Sequence, residues 1–186
     1  MDDLTIWPLF STPLAATKLH GLDNKKILDV IRTLEGDERK YSGSNVINTS
    51  DQQILELPEL QDLKKKIDEG MQRYLHDSLC FVRDIEFYVA TSWAVMHKPD
   101  EYTNEHVHKN SLYSFVYYVS VSPENPGDIQ FQNPLDRSTY IPAMFTINTS
   151  EDNLLNSNEF NLTPEEGLLV MFPSSLKHSV LNNGSN

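Results

Sequence analysis

From residue 81 onward the chain is written as short runs rich in β-branched and aromatic residues: Phe81–Met96, Tyr113–Val121, Asp128–Gln132, Tyr140–Ile147 and Gly167–Phe172. Clusters of Pro, Gly, Asn and Asp separate them. Such runs suit a pleated, half-buried surface, and the clusters break it into turns. No helical pattern falls between them, so the strands must bury their faces in a sandwich or barrel. The residues before 81 read as a helical lead-in. Asp23 and Asn24 can cap a helix in which Ile27, Val30, Ile31 and Leu34 recur at helical spacing, and Gly36 can close it. A second helix opens near Pro58 and aligns Leu60, Leu63, Ile67, Met71 and Tyr74 along one face. Residues 37–53, with Ser-Gly-Ser and Asn-Thr-Ser clusters, read as a loop. Residues 148–162, rich in Asn, Ser and Glu, read as an exposed loop able to serve as a lid.

A length of 186 residues suits one domain with a sizeable core. The formal charge is −12, and the longest basic run, Lys64-Lys65-Lys66, falls on the second predicted helix as a solvated face. Bulk electrostatics of that sign repel phosphate backbones, so nucleic acid is not an expected partner. The single cysteine, Cys80, cannot form an internal disulfide and reads as a small core residue. The start, Met1-Asp2-Asp3-Leu4, lacks the basic and apolar regions of a signal peptide, and no apolar run reaches membrane-spanning length. A cytoplasmic protein with no membrane partner is the expectation; oligomeric state leaves no signal.

Chemistry concentrates in Glu105-His106-Val107-His108 and in a distant His178, which follows the apolar run Leu168–Phe172 and a Pro-Ser-Ser turn. Side chains two apart on a strand share a face, so His106 and His108 can offer two imidazoles to one metal. A third ligand from His178 would give a facial site with open positions. Singly, each histidine reads more readily as a surface or core residue; spacing and context together reverse that and favour one site.

These residues also carry a resemblance. Ser92-Trp93, Tyr102, His106-Val107-His108, Tyr117-Tyr118-Val119, Gly127–Phe131 and Phe172-Pro173 with His178 follow one order that resembles the Fe(II)/2-oxoglutarate-dependent oxygenases, near their prolyl-hydroxylase-like branch. Leu9–Pro13 and the second helix resemble the same family's lead-in. The resemblance implies an α+β chain that is mainly β: one domain, residues 1–186, whose helical lead-in (1–80) packs outside a jelly-roll, cupin-like double-stranded β-helix (81–186). It implies Fe(II) and 2-oxoglutarate as cofactors. It also implies hydroxylation of an unidentified substrate, small molecule or protein side chain, with release of succinate and carbon dioxide. His106 and His178 would be iron ligands, and His108 stands where the family commonly has a carboxylate. Glu105 or Glu101 could supply that carboxylate instead, although Glu105 should face away from His106 on a regular strand. Tyr118 would donate to the distal carboxylate of 2-oxoglutarate, with Ser114 on the same face; adjacency alone leaves Tyr117 as the alternative. Trp93 and Tyr102 could line the substrate mouth. The family's basic clamp belongs to a final barrel strand that lies beyond Asn186 or differs here, with Arg83 the nearest replacement. Two rivals stay open: a cupin-type metal enzyme that does not use 2-oxoglutarate, and a barrel kept as a non-catalytic binding module.

Overall fold

A computed structural model describes residues 4–41, 44–135 and 148–184. Strand β1 (Ala15–Lys18) leads to helix α1 (Asn24–Thr33), where the Asp23 carboxylate accepts from the Lys26 backbone N–H at 3.1 Å. That cap satisfies one of the amides a helix start leaves free. The other end departs from expectation: Leu34 turns to extended backbone, and Gly36 opens strand β2 (Gly36–Tyr41) instead of closing the helix. β2 pairs antiparallel with β3 (Ser44–Thr49), so the loop expected over 37–53 is largely a hairpin. Its polar composition concealed it, while Val46, Asn48 and Thr49 are buried. Two 3-10 turns, Ile54–Glu56 and Pro58–Leu60, introduce helix α2 (Gln61–Gln72), which widens into a π-helical stretch, Arg73–Ser78.

Of the expected strand over Phe81–Met96, only β4 (Val95–Met96) forms, apart from a bridge between Ser92 and Gln53. Phe87 and Val89 pack on the helical core from irregular chain, so their apolar character serves packing without pairing. Cys80 is exposed at φ 57°, not a core residue. The remaining strands are β5 (Thr103–His106), β6 (Tyr113–Tyr117), β7 (Ile129–Gln132), β8 (Glu159–Leu162), β9 (Leu168–Pro173) and β10 (His178–Val180). β8 lies within the segment expected as a lid, where it pairs with β7. The strand expected over Tyr140–Ile147 falls outside the described residues.

The strands form three antiparallel sheets, ordered β2-β3-β4, β1-β9-β6 and β5-β10-β7-β8. β9 is the partition between two cores. Leu169 and Met171 pack with Leu60, Leu63, Ile67 and Leu75 of the helical layer, whereas Val170 and Phe172 pack with Ile129, Phe131 and Leu176. Successive side chains on a strand point to opposite faces, so a strand buried on both reads as the unbroken Leu-Leu-Val-Met-Phe. Helix α2 lies close on β9: a Cβ added to Gly70 would stand 2.8 Å from Leu169 Cδ2. The helices thus cover the outer face of one sheet, and its inner face meets the sheet that carries β5 and β10.

Gly127 positions the entry to β7. Its φ is +79°, and an added Cβ would meet the Leu181 carbonyl oxygen at 2.6 Å. Gly21, at φ +80°, has open space around the same position. Both pay the left-handed cost of about 1–2 kcal/mol when replaced by Ala, but only Gly127 adds a backbone clash. Urea denaturation should therefore show Gly127→Ala losing at least about 1 kcal/mol more than Gly21→Ala. Equal losses would mean that the chain after β10 yields freely.

Candidate metal centre

β5 ends on His106 and β10 begins on His178, and antiparallel pairing sets these two residues opposite each other. His108 lies just beyond the strand; its backbone N–H donates to the Ser174 carbonyl at 3.0 Å, which fixes the chain there. The ring centroids are 4.3 Å apart for His106–His178, 5.0 Å for His106–His108 and 5.2 Å for His108–His178. One nitrogen from each ring lies within 4.8 Å of the other two. Metal–nitrogen bonds of about 2.0–2.2 Å place donor nitrogens roughly 3–4 Å apart, a spacing that falls within this limit.

Two of the rings are oriented by the backbone. His106 Nδ1 is 2.8 Å from the Asn104 carbonyl oxygen, and His178 Nδ1 is 2.8 Å from that of Leu176. A carbonyl only accepts, so each Nδ1 carries the proton and each Nε2 presents its lone pair. The His108 ring has no hydrogen-bond partner among the described residues and rests against Trp93 at a centroid distance of 5.8 Å. His178 is 4 % exposed. Burial lowers its pKa to about 4, with His106 and His108 adding to the effect and the Leu176 carbonyl opposing it. Burial, then His106, also lowers that of His108. Both therefore favour neutral imidazole, the form that binds a metal.

Among the described residues, no carboxylate joins them. Glu105 faces outward and pairs with Lys177 at 3.0 Å, and Glu101 accepts from the Lys98 backbone N–H at 2.6 Å. Among the described residues, these three histidines are the one group of three or more potential ligands that comes together. A donor set of three neutral imidazoles suits a divalent ion of the iron or zinc type.

The adjacent tyrosines divide between the cores. Tyr117 packs with the helical layer and donates from its hydroxyl to Asn24 Oδ1 at 2.6 Å, whereas Tyr118 packs with Phe131 and Phe172 between the sheets. The Tyr118 hydroxyl has no partner among the described residues, and burial, followed by Asp128, raises its pKa. Ser114 pairs with Phe172, and its hydroxyl lies 2.7 Å from Ser174 Oγ, which in turn is 2.8 Å from Ser111 Oγ. Ser174 is fully buried, a role that a Pro-Ser-Ser turn in the sequence did not announce. Tyr102 is half-buried just before β5. Arg83 is on the surface beside the helical layer, paired with Asp77 at 2.6 Å.

The model of the family described as "Putative 2OG-Fe(II) oxygenase" matches residues 91–186, which include all three histidines. The chain belongs to this family. Iron(II) and 2-oxoglutarate are accordingly its metal and cosubstrate, which sets aside the cupin-type and non-catalytic alternatives. Its fold is similar to that of a Pseudomonas putida prolyl-4-hydroxylase, at 15% identity and a TM-score of 0.60 over 95% of this chain and 89% of that one. It is also similar to an oxidoreductase of the 2OG-Fe(II) oxygenase family from Burkholderia pseudomallei, at 12% identity and a TM-score of 0.57 over 88% and 72%. No curated protein sequence matches. Among the described residues, no helix of this oxygenase is long and apolar enough to cross a membrane.

The geometry makes a prediction about metal affinity. Removing any one of the three imidazoles, by His106→Ala, His108→Ala or His178→Ala, should weaken Co(II) binding by about 100-fold or more. Glu105→Gln, on the outward face, should leave it unchanged. Chelator competition followed by Co(II) absorption checks both; a strong loss in the Glu105 variant would restore a carboxylate ligand.

Proposed function

We propose that this oxygenase hydroxylates a C–H bond of its substrate with His106, His108 and His178 as the iron ligands and Tyr118 as the donor to 2-oxoglutarate. The convergence of three imidazoles, two of them with tautomers set by backbone carbonyls, supports the reading most directly. We further propose that residues 1–186 form one domain whose facing sheets follow the double-stranded β-helix plan. The core that joins both helices to β9 supports that unity.

The overall reaction is R–H plus 2-oxoglutarate plus O2 giving R–OH, succinate and carbon dioxide. When bound, iron(II) supplies the redox chemistry and open coordination positions. The protein's own task is placement. His106 and His178 hold Nε2 toward a common point because their Nδ1–H groups are already engaged. The Tyr118 phenol stays protonated in its buried setting and can donate to a carboxylate without giving up any existing bond. Ser114, on the same face, keeps hydrogen-bonding capacity beyond its bond to Ser174. Phe131 and Phe172 stack around His178 at centroid distances of 6.1 and 4.8 Å and keep water from that side.

With Fe(II) supplied anaerobically and oxygen then admitted, the protein should form succinate from 2-oxoglutarate, slowly without substrate. His106→Ala and His178→Ala should each abolish this turnover. Tyr118→Phe should raise the KM for 2-oxoglutarate by about 10- to 100-fold, the worth of a hydrogen bond to a charged group. Its thermal stability should barely change, since the hydroxyl has no partner to lose. An unaltered KM would remove Tyr118 from the cosubstrate site.

A further inference from the structure

Beside His108 the surface opens into a pocket of about 330 Å³ lined by Val107, His108, Lys109, Ser111, Leu112 and Ser175. That volume is at the small end for ligand sites and matches a molecule of amino-acid size. Its polar lining is unusual in sign. Lys109 is exposed and has no ion-pair partner among the described residues, whereas neighbouring Lys177 is held by Glu105. The Ser175 hydroxyl is likewise without a partner among them. Ser111, Ser174 and Ser114 are three hydroxyls sharing two hydrogen bonds, so one O–H proton among them is left over, and Ser111 and Ser114 are the ends of the chain. One of those ends is Ser111, in this pocket.

His108 adds another donor. If one ring nitrogen coordinates the metal, the other carries a proton, and the structure gives it no acceptor among the described residues. Lys109 and the imidazole N–H can only donate, and no acid lines the pocket. The complement of such a lining is an anionic acceptor with two oxygens, which makes charge-assisted bonds. Val107 and Leu112 supply the apolar remainder of the wall, and Leu112 is 75 % exposed.

We propose that this pocket is the substrate's anchoring subsite and takes a small apolar carboxylic acid, its carboxylate on Lys109 and the hydroxyls, its carbon chain against Val107 and Leu112. The proposal rests on the oxygenase reading, which places the metal on the far side of the His108 ring. The substrate carboxylate and the cosubstrate occupy different places. Ser111 is at the mouth, while Ser114 and Tyr118 lie on the inner face of β6 and its continuation, with buried Ser174 between the two serines. The chain's charge of −12 would deter an anion at long range, but screening beyond about 8 Å leaves the local, unpaired lysine to decide.

The test is calorimetry on the anaerobic, Fe(II)-loaded protein with and without saturating 2-oxoglutarate, using phenylacetate, 4-methylpentanoate and the corresponding amides as probes. The expected result is that at least one acid binds about tenfold or more tightly than its amide and stays bound when 2-oxoglutarate is present. Lys109→Glu should lose about tenfold or more of that affinity, while Lys65→Glu, the same charge change on α2, should retain it. Acid and amide binding alike, neither binding, an unaffected Lys109→Glu variant, or displacement of the acid by 2-oxoglutarate would each overturn the subsite. Loss of the oxygenase reading is separately visible: 2-oxoglutarate would fail to bind while the acid still did.

Discussion

The antiparallel register of β10 is the constraint from which the site follows. This strand spans only His178–Val180, yet it is pinned along both edges, with His178 opposite His106 on β5 and opposite Phe131 on β7. Backbone pairing places opposed residues about 4.5–5.5 Å apart, so two imidazoles meet without any attraction between them. A slip of one residue would turn His178 to the opposite face and bring Ser179 in. The pairing with β5 becomes irregular between His178 and Val180, immediately after the aligned pair. Such an irregularity ends strict pairing where it is no longer needed and re-aims the chain.

Around that register the structure supplies orientation. The aromatic rings of Phe131 and Phe172, 5.0 Å apart, bridge the two facing sheets next to His178. A ring confined by packing and by a hydrogen bond at Nδ1 loses little freedom when it coordinates an ion. His108 is held less directly, through its backbone bond to Ser174 and the edge of Trp93. The ring least tied by hydrogen bonds is therefore the one at the mouth, where it can adjust to whatever occupies the pocket.

Much of this was legible from period and composition, and the failures have physical causes. The run Leu168–Phe172 announces a strand buried on both faces because each parity meets a different apolar core. The His-X-His spacing predicts a shared side, and the rings do meet, although β5 ends at His106 and His108 is placed by the Ser174 carbonyl in the turn between β9 and β10. No local pattern encodes that bond. Tyr117 and Tyr118 are indistinguishable by adjacency; the helical layer claims Tyr117 through Asn24 and leaves Tyr118 inward. The hairpin of β2 and β3 reads as a loop because its composition is polar. Phe81–Met96 differs in the opposite direction: Phe87, Val89 and Ala94 pack on the helical core without a neighbouring strand along most of the segment, and Val82, Ile85 and Tyr88 are exposed.

With His106, His108 and His178 as the proposed iron ligands, an all-imidazole donor set would also shift the electrostatic balance of the pocket. Three neutral rings leave the full charge of a divalent ion uncompensated, one unit more than a set with one carboxylate leaves. At an effective dielectric of about 20, a unit pair at 4 Å is worth about 4 kcal/mol before desolvation, so one unit of charge in a half-buried pocket is not a small change. With that proposed ligand set, a dianionic cosubstrate would gain more from the metal than beside an anionic ligand, and would depend correspondingly less on a cation in the barrel wall. The placement of Glu105 agrees with that balance: adjacent in sequence to the proposed ligand His106, it is turned outward to Lys177. Had it faced inward, its charge would have competed with the cosubstrate for the metal's field. Turning Glu105 outward is thus as much a part of the proposed site as gathering histidines into it.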